Sequence, residues 1–250
     1  MNTQFRGSAQ KELLSEKKSL SAKYSTLVVG ERSFGKFLFF ELINLLFAWV
    51  PGALGLALRR VFYPPLFRRV GRGVVFGRNL TLRHPHKIAI GANAVIDDNV
   101  VLDAKGEKNE GLHIGDNVYI GRNTILSCKE GSISIGDYSN ISANCSLLSE
   151  TEIVLGRYCF LAGNCYLVAG GNHSFDDVTR PIMFQPSVSK GGIRIGDDVW
   201  LGAGVIVLDG VTIGPGTVVG AGAVVTGLLP EFAVAVGSPA RVIKDRRERQ

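Results

Sequence analysis

The chain is poor in the residue types from which metal, redox and disulfide sites are built. Its 250 residues include only four cysteines and four histidines. There is no Cys-x-x-Cys and no Cys/His cluster at zinc-ligand spacing, which excludes a zinc ribbon and a thioredoxin-like motif. His84-Pro85-His86 cannot readily aim both rings at one ion, and no His-x4-His pair exists, so a zinc hydration site is not expected. Basic and aromatic residues do not alternate along any stretch. A net charge of +6 therefore points to anionic small molecules or a membrane surface, and no nucleic-acid partner is expected. A clean long apolar run is also missing. Residues 37–58 reach the length of a membrane span, but Glu41, Asn44 and Pro51-Gly52 interrupt them. No secretory signal fits the polar, Lys/Ser-rich residues 1–33.

What the chain has in abundance is glycine at regular intervals. Ile195, Leu201, Val207, Ile213, Val219 and Val225 fall six residues apart, and Gly196, Gly202, Gly214 and Gly220 follow four of them. Two places before each later aliphatic stands a smaller residue: Val199, Val205, Val211, Thr217 and Ala223. One large and one small apolar slot per hexad predicts a parallel β-helix, in which three hexads close a triangular coil. The large residue fills the interior and the small one sits where two walls converge.

The same phase runs backwards through Leu155/Leu161/Leu167, Ile135/Ile141/Leu147, Ile114/Ile120/Leu126 and Ile90/Ile96/Leu102, with Phe76 and Leu82 as a partial opening coil. Cys145, Cys159 and Cys165 occupy the small slot, which predicts buried, inert thiols. One interval breaks the pattern: 40 residues separate Leu155 from Ile195, leaving an extra loop at 168–194. A coil needs no such excursion, so the loop is expected to carry function. It contains Gly170-Gly171-Asn172-His173 and then Asp176 and Asp177. A histidine beside a carboxylate is a candidate general base, with the carboxylate fixing its tautomer; a solvated loop histidine is the alternative.

The expected organisation is a polar N-terminus over residues 1–33, with a short helix at 9–23, and an apolar helical segment at 34–72. The β-helix follows at 73–245, and a basic tail at 246–250. Residues 34–72 read as a helix–break–helix lying in one leaflet, with Arg59, Arg60, Arg68, Arg69 and Arg72 on phosphate headgroups. A helical pair packed on the β-helix or on another subunit explains the same residues.

Several stretches together resemble the hexapeptide acyltransferases, in particular the maltose and galactoside O-acetyltransferase-like branch that includes polysaccharide O-acetyltransferases. They are the hexads, Gly171-Asn172-His173 with Asp176, Arg180-Pro181-Ile182, Ile195 to Ala203, Gly220 to Thr226, and Gly237-Ser238-Pro239-Ala240-Arg241. The resemblance covers residues 75–245. It implies an all-β, left-handed parallel β-helix, a homotrimer with sites between subunits, and acetyl-CoA as acyl donor with no metal. By resemblance His173 is the general base, Asn144 holds the acceptor sugar or glycan, and Glu150 or Glu152, together with Asp176, lies near that acceptor. Trp200, Gly202, Ala203, Gly220, Ala221, Thr226, Arg241 and Lys244 match positions lining the coenzyme A groove. Two positions depart from the family: Gly227 stands where a basic residue is common, and Ala203 where Ser or Asn is common. The implied activity is O-acetylation of a sugar hydroxyl by direct transfer; the expected location, cytoplasmic and peripheral on the cytoplasmic face of a membrane, rests on residues 34–72, which the resemblance does not cover. A sugar-amine N-acetyltransferase and a non-catalytic β-helix scaffold are the alternatives.

Overall fold

The computed structural model describes residues 19–30, 33–107 and 109–248. The expected helix at 9–23 lies largely outside them; its end is seen as the short helix α1, Leu20–Tyr24. From Arg69 onward the chain winds as a parallel β-helix with three flat faces. The first face stacks seven strands from Arg69–Val70 to Thr212–Ile213, and the third stacks seven from Thr81–Arg83 to Val224–Val225. The second holds nine, from Val75–Phe76 to the final pair Ala233–Val236 and Arg241–Asp245. Register follows the hexads: Leu155 stands on Ile195 and Ile135, Leu161 on Leu201 and Ile141, and Leu167 on Val207 and Leu147. Each of these large residues is at most 3% exposed. At about 1.5–3 kcal/mol per fully buried side chain, the interior column is the main source of stability. The small slot is as dry, from Ala94 and Val100 through the cysteines to Thr217 and Ala223. Its hydroxyls are satisfied across coils, as where Ser139 Oγ donates to the Gly156 carbonyl at 3.0 Å.

The edges of the prism explain the rest of the motif. On the edge between first and second faces, the Asp that follows Ile-Gly accepts a backbone N–H from the coil before it: Asp116 from Ala92 at 2.6 Å, Asp197 from Arg157 at 2.8 Å. The edge between second and third faces turns through left-handed residues at Asn79, Asn99, Asn123, Asn144 and Asn164. Asparagine tolerates that conformation, and Asn123 Nδ2 donates to Asn144 Oδ1 at 3.0 Å up the ladder. In the last coils Gly204 and Gly222 take over, leaving bare backbone along that edge.

The opening coil is complete rather than partial. Arg69–Val70 pairs with Ala89 and Ile90, so the β-helix begins four residues before the expected boundary at 73. Two helices cap it, α2 (Phe34–Phe47) and α3 (Gly52–Phe62), with the break at Pro51 where the interrupted apolar run placed it. Phe40 and Ile43 of α2 are buried, Phe67 stacks on Phe76 at 5.5 Å, and Tyr63 packs tilted on the same ring, also at 5.5 Å. Arg59 corrects the expectation that it meets headgroups. It is 1% exposed and donates to the carbonyls of Phe47, Val50 and Phe76 at 2.8–3.0 Å, riveting the cap to the first coil. The guanidinium fork, with donors only, suits three converging carbonyls. The opposite side of the cap exposes Phe34, Leu38, Leu45, Trp49, Leu54 and Val61. No helix among the described residues is long and apolar enough to cross a membrane.

At the far end Leu229 stays with the β-helix. It returns to the first face opposite Ile213 and opens an eighth coil, and Ala235 joins the second face under Val219. Arg241–Asp245 is a strand that folds back antiparallel on Ala233–Val236.

Candidate active site

The extra loop leaves the third face at Ala169 and rejoins the first face at Ile193. It springs from Gly170 and Gly171, both at positive φ, and a Cβ on Gly170 would come within 2.9 Å of the Glu150 side chain. The turn therefore needs glycine and seats the loop directly on Glu150, which Lys129 Nζ holds at 3.0 Å. Asn172–His173 then pairs antiparallel with Ser187–Val188, forming a two-rung ribbon that presents His173 to solvent.

His173 Nδ1 lies 3.2 Å from the Gln185 carbonyl. A carbonyl can only accept, so Nδ1 carries a proton, and in the neutral tautomer with that bond the ring's lone pair is on Nε2. This corrects the expected orienting carboxylate. Asp176 accepts instead from the Ser174 hydroxyl at 3.1 Å. Asp177 takes the hydroxyl and backbone N–H of Thr179, and those hydrogen bonds hold its carboxyl below the usual range. The carbonyl that holds the imidazole is itself fixed by the buried Gln185 side chain. Its Nε2 donates to the carbonyls of Asp177 and Arg180, and its Oε1 accepts from Asp177 N–H. Nothing in the composition of Phe184-Gln185-Pro186 marks this residue in sequence.

Asp209 was equally silent. It lies one coil beyond the loop, 5% exposed, and accepts from Asn172 Nδ2, Lys190 N–H and Gly192 N–H. Asn172 belongs to the outgoing arm of the loop and the other two to the returning arm.

The remaining site residues fall on other parts of the prism. Asn144 is a left-handed turn of the second-to-third edge, one coil before the loop. Gly202, Ala203, Gly220 and Ala221 follow it down that edge. A Cβ on Gly202 would stand 2.5 Å from Ala221 N, so coil stacking alone already requires glycine there. Trp200, half exposed, pairs across the second face with Val218, and Val218 in turn with Val234, which faces Lys244; Arg241 faces Val236. Trp200, Lys244, Arg241 and the small residues thus form one band at the C-terminal end of the prism. Thr226 stands apart, on the edge that carries the His173 loop. In one chain, then, His173, Glu150 and Asp176 share one edge, while Asn144 and most of the band lie across the third face.

All four cysteines are free and buried, and burial pushes the thiols of Cys128 and Cys159 up to about 12 and 11. Such thiols are poor nucleophiles. Among the described residues no group of three or more His, Cys, Asp or Glu is placed to hold a metal ion. His84 and His86 stack at 5.7 Å, and His84 Nε2 is bonded to the Thr26 carbonyl. A cavity of about 480 Å³ on the first coils is lined by Arg68, His86, Lys87, Asn109, Glu110 and His113, and by none of the expected site residues.

The pattern described as bacterial transferase hexapeptide (six repeats) matches residues 192–227, and the hexapeptide repeat of succinyl-transferase matches 111–149. A protein of Mycobacterium tuberculosis named a probable acetyltransferase is 37% identical over 166 residues, 66% of this chain and 54% of that one. A galactoside O-acetyltransferase of Lactococcus lactis is 33% identical over 135 residues, 52% and 60% of the two chains. The chain thus spans little more than half the length of these two relatives. It spans 84% of the dTDP-4-amino-4,6-dideoxy-D-glucose acyltransferase of Escherichia coli, at 31% identity over 185 residues, 73% of this chain. Among solved structures, the N-acyltransferase AntD of Bacillus cereus, in complex with dTDP and 3-hydroxybutyryl-CoA, superposes with a TM-score of 0.51. Its identity is 26% over 72% of this chain and 84% of that one.

Proposed function

The chain belongs to the hexapeptide-repeat acyltransferases, and we propose that it transfers an acetyl group from acetyl-CoA to a hydroxyl of a sugar, glycan or glycolipid. The observation that carries this reading is the imidazole of His173, whose Nδ1–H is committed to the Gln185 carbonyl and whose Nε2 is open. In the proposed reaction Nε2 takes the proton of the acceptor hydroxyl as its oxygen attacks the thioester carbonyl. The C–S bond then breaks, and the imidazolium returns the proton to the departing thiolate. Backbone N–H groups of the coil after the loop are the proposed donors to the oxyanion. No side-chain nucleophile is needed, in keeping with the buried thiols.

Acetyl-CoA fits the band at the end of the prism. Trp200 offers an apolar plate, and Gly204 and Gly222, with nothing within 4 Å of a Cβ, give an edge that a thin chain can approach. Arg241 and Lys244 supply positive charge for phosphates. The relatives named as galactoside O-acetyltransferase and as an acyltransferase bound to an acyl-CoA support donor and fold alike.

His173 and Asn144 stand on different edges of one chain, so a complete site needs two chains, the loop edge of one against the asparagine edge of the next. Repeating that contact around an axis closes a ring, and we assign a homotrimer with left-handed coils. The exposed apolar side of α2 and α3, with Arg60, Arg68, Arg69 and Arg72 all exposed nearby, is assigned to the cytoplasmic surface of a membrane.

A second reading, transfer to a sugar amine, is favoured by the length matched to the amino-sugar acyltransferase. Incubating the protein with acetyl-CoA and a matched panel of galactosides and amino-sugar nucleotides separates the two. Ester formation on the galactosides supports O-transfer; amide formation alone replaces it.

A further inference from the structure

We propose that Asp209 is a positioning residue for His173: its carboxylate, offered from the coil beyond the loop, ties the outgoing and returning arms together and fixes where the imidazole stands. The proposal rests on the reading of His173 as the base. The loop is an excursion between Ala169 and Ile193, its arms joined near the root by two ribbon rungs, Asn172 with Val188 and His173 with Ser187, and by Ser174 N–H donating to the Pro186 carbonyl at 2.9 Å. These contacts join the arms to each other and not to the coil, while the closed state must offset the conformational entropy of the whole excursion. Asp209 adds what the ribbon lacks. Oδ2 accepts from the side chain of Asn172, the residue before His173, at 3.1 Å, and from Lys190 N–H at 2.6 Å. Oδ1 accepts from Gly192 N–H at 2.9 Å. Next to it, Gly210 N–H donates to the Gly192 carbonyl at 2.8 Å, and its φ of 83° lets the corner lie against Lys190.

All three partners of the carboxylate are donors, so the site calls for a group that only accepts. An aspartate meets that demand with both oxygens; an asparagine of the same shape must aim an NH₂ at an N–H. At 5% exposure, water cannot replace the lost bonds cheaply. The strand ladder of the coil does not use this side chain, and Val207 and Val211 pack on either side of it without it. Asp209 therefore serves the loop rather than the coil.

The test uses the full chain with D209N, N172A and H173N. It measures kcat and KM with the acceptor that turns over in the panel, hydrogen exchange at the Lys190 and Gly192 amides, and melting. D209N is expected to exchange both amides at least about tenfold faster and to lower kcat about 100-fold, the scale of a 1 Å misplacement. Its KM for acetyl-CoA stays within about twofold, because the donor band lies on another edge. N172A removes one bond from an exposed residue, so it keeps its fold and shows a smaller loss of kcat. Parental kcat in D209N, or a loss confined to KM, overturns the proposal. Faster exchange with unchanged turnover reduces Asp209 to a clamp without a positioning role and also overturns it. If H173N itself turns over like the parent, the base reading fails first, and the exchange data still report separately whether Asp209 holds the loop.

Discussion

Replacing His173 by alanine removes the only group in the loop whose geometry is that of a base, and the structure sets the size of the effect. The side chain is exposed and makes one hydrogen bond, to the Gln185 carbonyl, which water can take over once the ring is gone. The folded state should lose at most about 1 kcal/mol, within the range of surface substitutions that break a single weak contact. Catalysis should suffer far more. A sugar hydroxyl cannot attack a thioester at neutral pH without losing its proton, and a positioned base contributes roughly 10²–10⁴-fold. At 1.36 kcal/mol per tenfold, that is about 3–5 kcal/mol of transition-state free energy. H173N refines the test, since its amide NH₂ can occupy the place of Nδ1–H and donate to the same carbonyl while offering no base. The assay is thiol release from acetyl-CoA against acceptor concentration at neutral pH. Both variants should lose kcat by that factor while their melting curves stay close to the parent's. Turnover by H173A within tenfold of the parent refutes the assignment and makes the loop a binding lid.

Mixing the inactive variants H173A and N144A after reversible dissociation should restore activity at about a quarter of the sites, as a cyclic assembly with its site between chains requires; no recovery would place each site within one chain. Flotation with vesicles containing anionic lipid should carry the parent protein but not a variant with Leu45 and Trp49 changed to glutamate, since both side chains are exposed and make no core contact. Unbound parent protein would leave the cap a packing element only. Stability should also depend on pH through His84, which burial pushes from 6.5 down to about 4 while Nε2–H donates to the Thr26 carbonyl. Between those values the unfolded chain binds a proton that the folded chain refuses, so this contribution is full above pH 6.5 and is lost as the pH falls towards 4. Melting curves of parent and H84Q should diverge over that window; parallel curves would show that His84 does not couple the N-terminal segment to the coil.

The hexad was readable because a triangular coil demands a large and a small apolar side chain at fixed phase, and Ile195 to Val225 meets that demand at every turn. The loop was readable as the one place where the phase stops. The same reasoning stopped at Phe76 although Val70-Gly71 stands in phase six residues before it, because Arg68, Arg69 and Arg72 around it read as headgroup contacts, and it placed Arg59 on lipid, because an arginine closing an apolar helix usually faces out. Gln185 and Asp209 were invisible for a different reason. Gln185 acts wholly, and Asp209 in two of its three bonds, through backbone N–H and C=O groups, which every residue possesses, and the one side-chain partner, Asn172, lies 37 residues from Asp209. Asp176 and Asp177 misled in the opposite sense: they stand near His173 in sequence, yet Ser174 and Thr179 satisfy them locally.

The two closed ends of the prism decide how it can grow. A stack of coils is a column of strands whose outermost rungs would template another chain, as in a fibre. Here the first rungs are spoken for: Arg59 takes the Phe76 carbonyl, Ala48 accepts from Asn79 N–H, and Val28 accepts from His84 N–H. At the other end Gly237 and Ala240 bond to both sides of Val224, and a charged strand with Arg241, Lys244 and Asp245 runs against the stacking direction. Addition of a coil at either end would displace one of these plugs, so lengthening that keeps both comes by inserting whole coils between them. Such an insertion would move the helical cap away from the donor band in fixed steps of one strand spacing, about 4.8 Å. The reach from the cap to the reaction centre is therefore a quantity the fold can change only in discrete increments.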